Sequence, residues 1–499
     1  MSQTARVTDT PPTSNDGLGV DSLRVFGRHL PPADRRDLAR RAAQIARVTA
    51  KHFGPPALRT ARSARREGIR GLSPDAFVRP LRLTFEELGT TFMKFGQLIA
   101  SSPGVFGEDV SSEFRGCLDT GPSVPFEEVR LVIESELGMP LDQAFAHLEP
   151  DPIGRASIAV VHRGRLHDGT VVAVKVLRPG IEGRVAVDMD LFQPTLELIA
   201  RTTGEYAVSQ MVQMFGGFRL QLGEELDLRN EARAIEHMTR LLDIVDLPLV
   251  CVPKIFPDRC SARVLCMEFL DGVPVDDLAR IETYGFDPSP VVTQVVQGFL
   301  LTAIRWGFFH GDVHAGNLLL LPDGRVGVID WGIIGRLDHD THMFFRHLVE
   351  AALGDETAWP AIAAHTQKVY GEVLDEMGLS EDDLAMFLKL TLEPLLRAPF
   401  GEVSLAEILS APQRKMQELT EIEATKLTVP GVVKRFRAQR RIRAIAEDTG
   451  VIDSEFARGV FLLTKALMYF ERYGKMYMRD TSIFGDEEFF RAALAAPLD

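Results

Sequence analysis

The spacing of apolar positions changes character several times along this chain. Leu38, Ala42, Ile45 and Val48 recur at intervals of three and four among Arg35, Arg36, Arg40, Arg41 and Arg47, which predicts an amphipathic helix. Residues 85–101 carry a helical pattern that Pro103-Gly104 breaks, and residues 126–137 predict another helix, stopped by Gly138 with Pro140 just beyond. The period then drops to two. Residues 157–166 and 170–177 are rich in β-branched side chains and flank His167-Asp168-Gly169, a turn signal between two strands of a hairpin. Helical spacing returns over residues 185–242, and short apolar strands punctuated by Pro253 and Pro257 follow over 249–269. The remainder is mostly helical, except for a small hairpin in which residues 318–321 and 325–329 flank Pro322-Asp323-Gly324. Strands first and helices later predict an α+β chain, with a small mixed lobe packed on a larger helical lobe and a cleft between them.

With 499 residues, 45% of them hydrophobic, the chain can bury a core of two to four structural units. Cys117, Cys251, Cys260 and Cys266 lie in no CxxC spacing, which argues against a disulfide scaffold or a zinc site and for free thiols in a reducing compartment. Residues 1–20 are rich in Ser, Thr, Pro, Asp and Gly, hold no apolar signal core, and are expected to be a disordered tail. Residues 291–309 come nearest to a membrane span, but Gln294, Gln297 and Arg305 interrupt them, and a spanning helix wants about 20 predominantly apolar residues. A buried core helix is the expectation. The net charge of −14 conceals a basic arm: residues 21–82 hold fifteen Lys/Arg against five Asp/Glu. Its basic helix face, and a second basic run around Lys434, Arg437, Arg440, Arg441 and Arg443, suit an anionic membrane surface or an acidic partner as well as plain solvent. No zinc-finger, RNP-type or basic-zipper pattern accompanies the charge, so nucleic acid is not an expected partner.

The chemistry concentrates in His310-Gly311-Asp312-Val313-His314-Ala315-Gly316-Asn317 and, after the small hairpin, Asp330-Trp331-Gly332. Phosphoryl transfer needs a carboxylate to orient the attacking hydroxyl or water, and oxygen ligands for the magnesium that bridges the phosphates. Asp312 suits the first role and Asn317 and Asp330 the second; the offset of five between Asp312 and Asn317 is that of the kinase loop H-R-D-x-x-x-x-N. His310 and His314 read as packing or hydrogen-bonding histidines. Upstream, Val172-Ala173-Val174-Lys175 resembles the V-A-I-K strand whose lysine grips the α- and β-phosphates, and Glu231 is the expected carboxylate partner of Lys175. The loop before Lys175 lacks G-x-G-x-x-G, so backbone amides of Ala156, Ser157 and Ile158 are left as the phosphate-facing groups. Glu268, at the end of an apolar strand, marks the segment where backbone groups would meet adenine, although an ordinary strand end reads the same way.

With these parts in order, the chain resembles the UbiB or AarF-domain group of atypical kinase-like proteins, over roughly residues 80–340. The group's K-x-G-Q appears as Lys94-Phe95-Gly96-Gln97 and its E-x-D as Glu225-Leu226-Asp227. The resemblance implies a two-lobed protein-kinase-like fold: a basic helical extension with the K-x-G-Q helix at 21–125, an N-lobe with inserted helices at 126–268, and a helical C-lobe at 269–499. It further implies ATP or ADP and Mg2+ as cofactors, Lys94 and Gln97 contacting the Glu225/Asp227 acids and nucleotide phosphates, and a helix that blocks access of protein substrates. ATPase or small-molecule chemistry in support of isoprenoid quinone or lipid metabolism follows, with quinone- or lipid-biosynthesis proteins as partners and a cytoplasmic location, peripherally attached to the inner face of the membrane. The alanine-rich loop of the group is altered here: Gly154 and Arg155 replace two alanines and Ala159-Val160 replace Gly-Gln, which leaves ATP against ADP preference open. Two other readings stand beside this one. Aminoglycoside or choline kinase-type phosphotransferases also carry H-G-D-x-H-x-x-N and I-D-W-G, and a nucleotide-binding pseudokinase scaffold would need the same residues.

Overall fold

The computed structural model describes residues 6–7, 30, 33–67, 75–100, 108–114, 123–203, 206–376, 380–402 and 454–495. It consists of two compact units: Val25–Ala232 with Ile255–Phe269, and Met1–Arg24, Arg233–Lys254 and Leu270–Asp499.

The first unit is built on a four-stranded antiparallel sheet in the spatial order His147–Arg155, Ala159–Arg165, Val171–Leu177, Val264–Glu268. The predicted turn closes the second and third strands: Gly169 takes a left-handed φ of 92°, and Asp168 Oδ1 accepts the Thr170 N–H at 2.9 Å. Strand Val171–Leu177 is covered on both faces. Val172, Val174 and Val176 join a cluster with Val129, Ile133, Phe145 and Leu148, so helix Phe126–Leu137 packs on that face. Alternation along the pleat then sends Ala173, Lys175 and Leu177 to the other face, away from this apolar cluster. Helix Phe126–Leu137 ends as its sequence predicts, at Gly138 with φ 67° and an N–H bonded to the Glu134 carbonyl.

The helix expected over 85–101 is two helices instead, Asp75–Leu88 and Thr90–Ala100. Gly89 separates them at φ 88°, a conformation that only glycine reaches without strain; position 101 lies outside the described residues. Phe92 and Phe95 of the second helix enter a phenylalanine cluster, at 4.9 Å from Phe192 and 5.5 Å from Phe215 respectively, measured between ring centroids. The basic helix spans Arg35–Glu67, but its arginines do not all share one face. Arg35, Arg36, Arg40 and Arg47 are exposed, whereas Arg41 is buried. Arg41 Nε and Nη2 lie 2.6 and 3.0 Å from the two oxygens of Asp188, on helix Ile181–Thr203, and Nη2 also donates to the Leu88 carbonyl at 2.8 Å. The guanidinium thus closes off the last turn of the helix that Gly89 ends.

In the second unit, helix Ser289–Trp306 is buried over nearly its whole length, with the polar positions that argued against a membrane span tied to the protein. Gln294 Oε1 accepts from Leu249 N–H at 2.9 Å, Gln297 Nε2 donates to Asp486 at 3.0 Å, and the Arg305 guanidinium lies 4.8 Å from the Trp306 ring centre. No helix among the described residues is long and apolar enough to cross a membrane. Strand Phe308–His310 follows and pairs antiparallel with Ile334–Arg336. A second sheet runs Val250–Cys251, Val326–Val328, Leu318–Leu320, Val273–Pro274; its two middle strands form the predicted small hairpin. A short helix, Leu278–Ile281, precedes Ser289–Trp306, and helices His339–Ala352, Ala358–Glu376, Glu381–Arg397, Ser454–Tyr477 and Glu487–Ala495 follow. Of the tail expected over 1–20, only Arg6–Val7 is described, as a short strand beside Val245–Asp246. The basic run at Lys434–Arg443 lies outside the described residues.

Arg41→Met leaves the Asp188 carboxylate, whose side chain is 0% exposed, without its guanidinium. The expected cost is about 3 kcal/mol of stability, because a buried charge has lost its partner. A urea titration reads this as a lower midpoint at unchanged slope, and a midpoint equal to the wild type contradicts the anchoring role.

Candidate functional site

Lys175 and Glu231 are brought together. The lysine leaves the sheet on the face opposite the valine cluster, and Glu231 sits in the first turn of helix Leu228–Leu242, where the helix dipole favours a carboxylate. Lys175 Nζ lies 2.9 and 3.1 Å from the two Glu231 oxygens, with the side chains 8% and 2% exposed. Two charges this far from water persist only as a well-formed pair.

The segment expected to face phosphate is fixed through its carbonyls. Arg178 donates from Nε and Nη2 to the Ala156 carbonyl at 3.1 and 2.9 Å, Thr90 Oγ1 donates to the Ser157 carbonyl at 3.0 Å, and the Arg178 N–H donates to the Ile158 carbonyl at 2.9 Å. Ser157 and Ile158 are buried. A loop without the expected glycines is therefore held in shape by an arginine and a threonine. Burial pushes the Arg178 guanidinium below its ordinary value, and Arg155 and Arg184 add to the effect.

Thr90 opens helix Thr90–Ala100, which carries Lys94 and Gln97 on one side while Phe92, Phe95 and Ile99 are buried. Lys94 Nζ forms an ion pair with Glu225 Oε2, and Gln221 Nε2 donates to Glu225 Oε1 at 3.0 Å. Asp227, fully buried, is gripped by Arg229 through Nε at 2.9 Å and Nη2 at 2.6 Å. Glu268 ends strand Val264–Glu268 and is exposed; next to it, Phe269 donates its N–H to the Val171 carbonyl and lies under the Arg163 guanidinium at 4.7 Å.

The second unit holds the other set. Asp312, His314 and Asn317 lie in the turn between strands Phe308–His310 and Leu318–Leu320. Asn317 Nδ2 donates to the Asp312 carbonyl at 2.9 Å, which fixes the amide and leaves Oδ1 as its acceptor oxygen. The Ile329 N–H donates to the Asn317 carbonyl at 2.9 Å, tying the turn to the segment that ends in Asp330. Asp330 takes a φ of 57°, the one positive value at a non-glycine among the described residues. Aspartate tolerates that left-handed conformation better than most residues, and such strain concentrates at functional positions. Trp331 locks the turn: it is buried, donates Nε1–H to the Val328 carbonyl at 2.9 Å, and meets the His310 ring edge-on at 4.6 Å.

His310 is a structural residue. Its Nδ1 accepts the Asp312 N–H at 3.1 Å, so the ring proton sits on Nε2, 3.2 Å from the Ile329 carbonyl, and burial holds its pKa below the ordinary imidazole value. His314 Nδ1 accepts the Gly316 N–H at 3.1 Å, and its Nε2 lies 4.0 Å from Asp312. Around the Asp312 carboxyl, burial pushes the pKa up, but the Lys465 ammonium, with His314 and His310, outweighs it and holds the group below the ordinary aspartate value.

Lys465 escaped the sequence reading, as did Arg178, Arg229 and the Arg41–Asp188 pair. Lys465 lies 153 residues from Asp312 and contacts it at 2.6 Å; no local motif marks such a lysine. Arg229, two residues beyond Asp227, was visible but indistinguishable from any helical arginine.

Among the described residues no cluster of three or more His, Cys, Asp or Glu could hold a metal. The oxygens of Asn317 and Asp330 nonetheless fit magnesium, which is commonly bound through one or two protein ligands with phosphate and water completing the shell.

Comparison with known proteins matches the ABC1 atypical kinase-like domain to residues 117–359. The chain is 32% identical to an uncharacterized chloroplastic aarF domain-containing protein kinase of Arabidopsis thaliana, over 82% of this chain and 73% of the relative. It is 34% identical to an uncharacterized Mycobacterium tuberculosis protein, over 80% and 74% of the two chains. A probable protein kinase UbiB of Marinobacter nauticus is 31% identical, over 66% of this chain and 60% of its own. The matched domain contains Lys175, Glu231, Asp312, Asn317 and Asp330, and leaves Lys94, Gln97 and Lys465 outside.

A double-mutant cycle on Lys175→Met and Glu231→Gln is expected to show coupling of about 2 kcal/mol in unfolding free energy, since each partner leaves the other buried and unmatched. Additive losses would mean that the two charges are stabilised independently.

Proposed function

The chain belongs to the ABC1 atypical kinase-like family, and from that premise we propose that it binds a magnesium-bound adenine nucleotide and transfers or releases its terminal phosphoryl group. The observation that carries the reading is the buried Lys175–Glu231 pair, 2.9 Å long, in a unit whose neighbouring loop is held by its own carbonyls. An apolar pair would fill that space at no electrostatic cost, so a retained ion pair asks for a purpose beyond stability. Positioning a lysine for phosphate oxygens is one.

In this proposal Lys175, held by Glu231, binds the α- and β-phosphates, with backbone amides at Ala156, Ser157 and Ile158 as further donors. Asn317 Oδ1 and Asp330 are the metal ligands; when bound, the metal neutralises charge on the phosphate oxygens. The Asp312 carboxylate orients an acceptor hydroxyl or water. That oxygen bonds to the γ-phosphorus as the bond to the bridging oxygen breaks; ADP leaves with the electron pair, and the hydroxyl proton passes to Asp312. Lys94 and Gln97, with Glu225 and Asp227, are assigned to the nucleotide's phosphate side and to excluding protein substrates, and Glu268 to the adenine-binding segment. Support of quinone or lipid metabolism, with partners from those pathways, is the physiological reading that the family suggests. The exposed Arg35, Arg36, Arg40 and Arg47 are proposed to meet an anionic membrane surface.

Asp330→Asn removes a carboxylate ligand and is expected to abolish the magnesium-dependent part of the thermal stabilisation by ATP. Asp312→Asn is expected to keep that stabilisation while lowering kcat about a hundredfold. Equal losses of binding and turnover in the two variants would reject this division of roles. Flotation with vesicles containing phosphatidylglycerol is expected to fall steeply as salt rises. Salt-independent flotation, or none at low salt, would remove the electrostatic docking face.

A further inference from the structure

The turn that carries Asp312 holds no lysine or arginine: Val313, His314, Ala315 and Gly316 separate it from Asn317. A partly buried carboxylate is nonetheless held in one geometry only where a cation or a hydrogen-bond donor meets it. A cation is supplied from far along the chain. Lys465 Nζ lies 2.6 Å from Asp312 Oδ1, with the two side chains 19% and 22% exposed. This pair is much better shielded than a surface contact such as Lys368–Asp340, at 66% and 52%, which contributes little.

The helix that presents Lys465, Ser454–Tyr477, is fixed against the same turn and the strands around it. Tyr473 Oη donates to the Val313 carbonyl, the residue after Asp312, at 2.9 Å. Phe470 meets Phe299 of the core helix edge-on at 4.7 Å. Gly459 lets the helix backbone approach strand Ile334–Arg336 so closely that a Cβ there would fall 2.4 Å from the Arg336 carbonyl oxygen. A lysine on a helix anchored at these three points is held, rather than swept in from solvent.

We propose that Lys465 is a positioning residue of this turn: its ammonium holds the Asp312 carboxylate in place and aimed at the acceptor. This rests on the phosphoryl-transfer reading above and adds to it a residue that lies outside the matched domain.

The experiment follows MgATP turnover of the full chain by phosphate release and ADP formation, for the wild type, Lys465→Met, Lys465→Gln, Lys465→Arg, Asp312→Asn and the Asp312→Asn/Lys465→Met double variant. Lys465→Met and Lys465→Gln are expected to lower kcat about tenfold or more, with KM for MgATP within about twofold of wild type. Lys465→Arg is expected to recover most of the rate. The double variant is expected to be no slower than Asp312→Asn alone, because the lysine acts through the aspartate. An unchanged kcat in the two neutral variants overturns the proposal. So does a raised kcat, which would make Lys465 a restraint on the site, and so does a double variant slowed by the product of the single effects. A wild-type chain that forms no ADP sinks the phosphoryl-transfer reading and this inference together; one that turns over, with the lysine variants matching it, sinks the inference alone.

Discussion

A lysine placed inside a sheet that is covered on both faces must be given a carboxylate, and that requirement organises the first unit. Strand Val171–Leu177 uses its valines to hold helix Phe126–Leu137, so the pleat leaves Lys175 on the opposite face, 6% exposed. Glu231 meets it from the first turn of a helix, where the dipole also favours the negative charge. The same unit holds further buried or half-buried ion pairs: Lys94 with Glu225, Arg229 with Asp227, Arg41 with Asp188. Each costs desolvation that apolar packing would avoid; Lys94–Glu225 and Arg41–Asp188 tie together helices that are distant in sequence.

The second unit solves a different problem, that of holding short polar side chains still in a turn. It does so largely through backbone carbonyls. Asn317 is bonded to the Asp312 carbonyl, Ile329 to that of Asn317, Gly311 to that of Ile333, and Tyr473 to that of Val313. Gly311 has no alternative in this packing, since a Cβ there would sit 2.7 Å from the Ile333 side chain. Asp330 accepts a left-handed backbone to end the adjoining hairpin. Groups fixed in this way need little reorganisation when charge moves, which is the property that a phosphoryl-transfer site requires.

Much of this was legible in the sequence because it is local. The hairpin around Gly169, the helix stop at Gly138, the small hairpin at Pro322-Asp323-Gly324 and the buried helix Ser289–Trp306 all follow from periodicity and turn chemistry within a few residues. The contact between Lys175 and Glu231, 56 residues apart, was expected from the V-A-I-K-like strand and from one helix carrying Glu225, Asp227 and Glu231; the pair forms, but Glu225 ends helix Tyr206–Glu225 and Glu231 lies in the next, Leu228–Leu242. What stayed hidden was long-range or depended on one backbone angle. Gly89 splits a continuous apolar pattern because the chain takes a positive φ there, which the pattern does not encode. Arg41 looked like one more arginine on a basic face until its side chain was found turned to Asp188, 147 residues on. Lys465 and Arg178 carry no motif at all; only the fold brings the one to Asp312 and the other to the Ala156 carbonyl.

Family membership fixes the kind of domain, and the proposed function assigns its two residue sets: the shielded lysine of one unit to phosphate, and the acid, amide oxygen and carboxylate of the other to hydroxyl and metal. Their shared claim is that nucleotide and magnesium bind as one ligand. Calorimetric titration of the full chain with ATP, in excess magnesium and again in excess chelator, tests it most directly. The account predicts saturable one-to-one binding with magnesium and at least about a tenfold weaker affinity without it. Equal affinity under both conditions, or no binding under either, would contradict it.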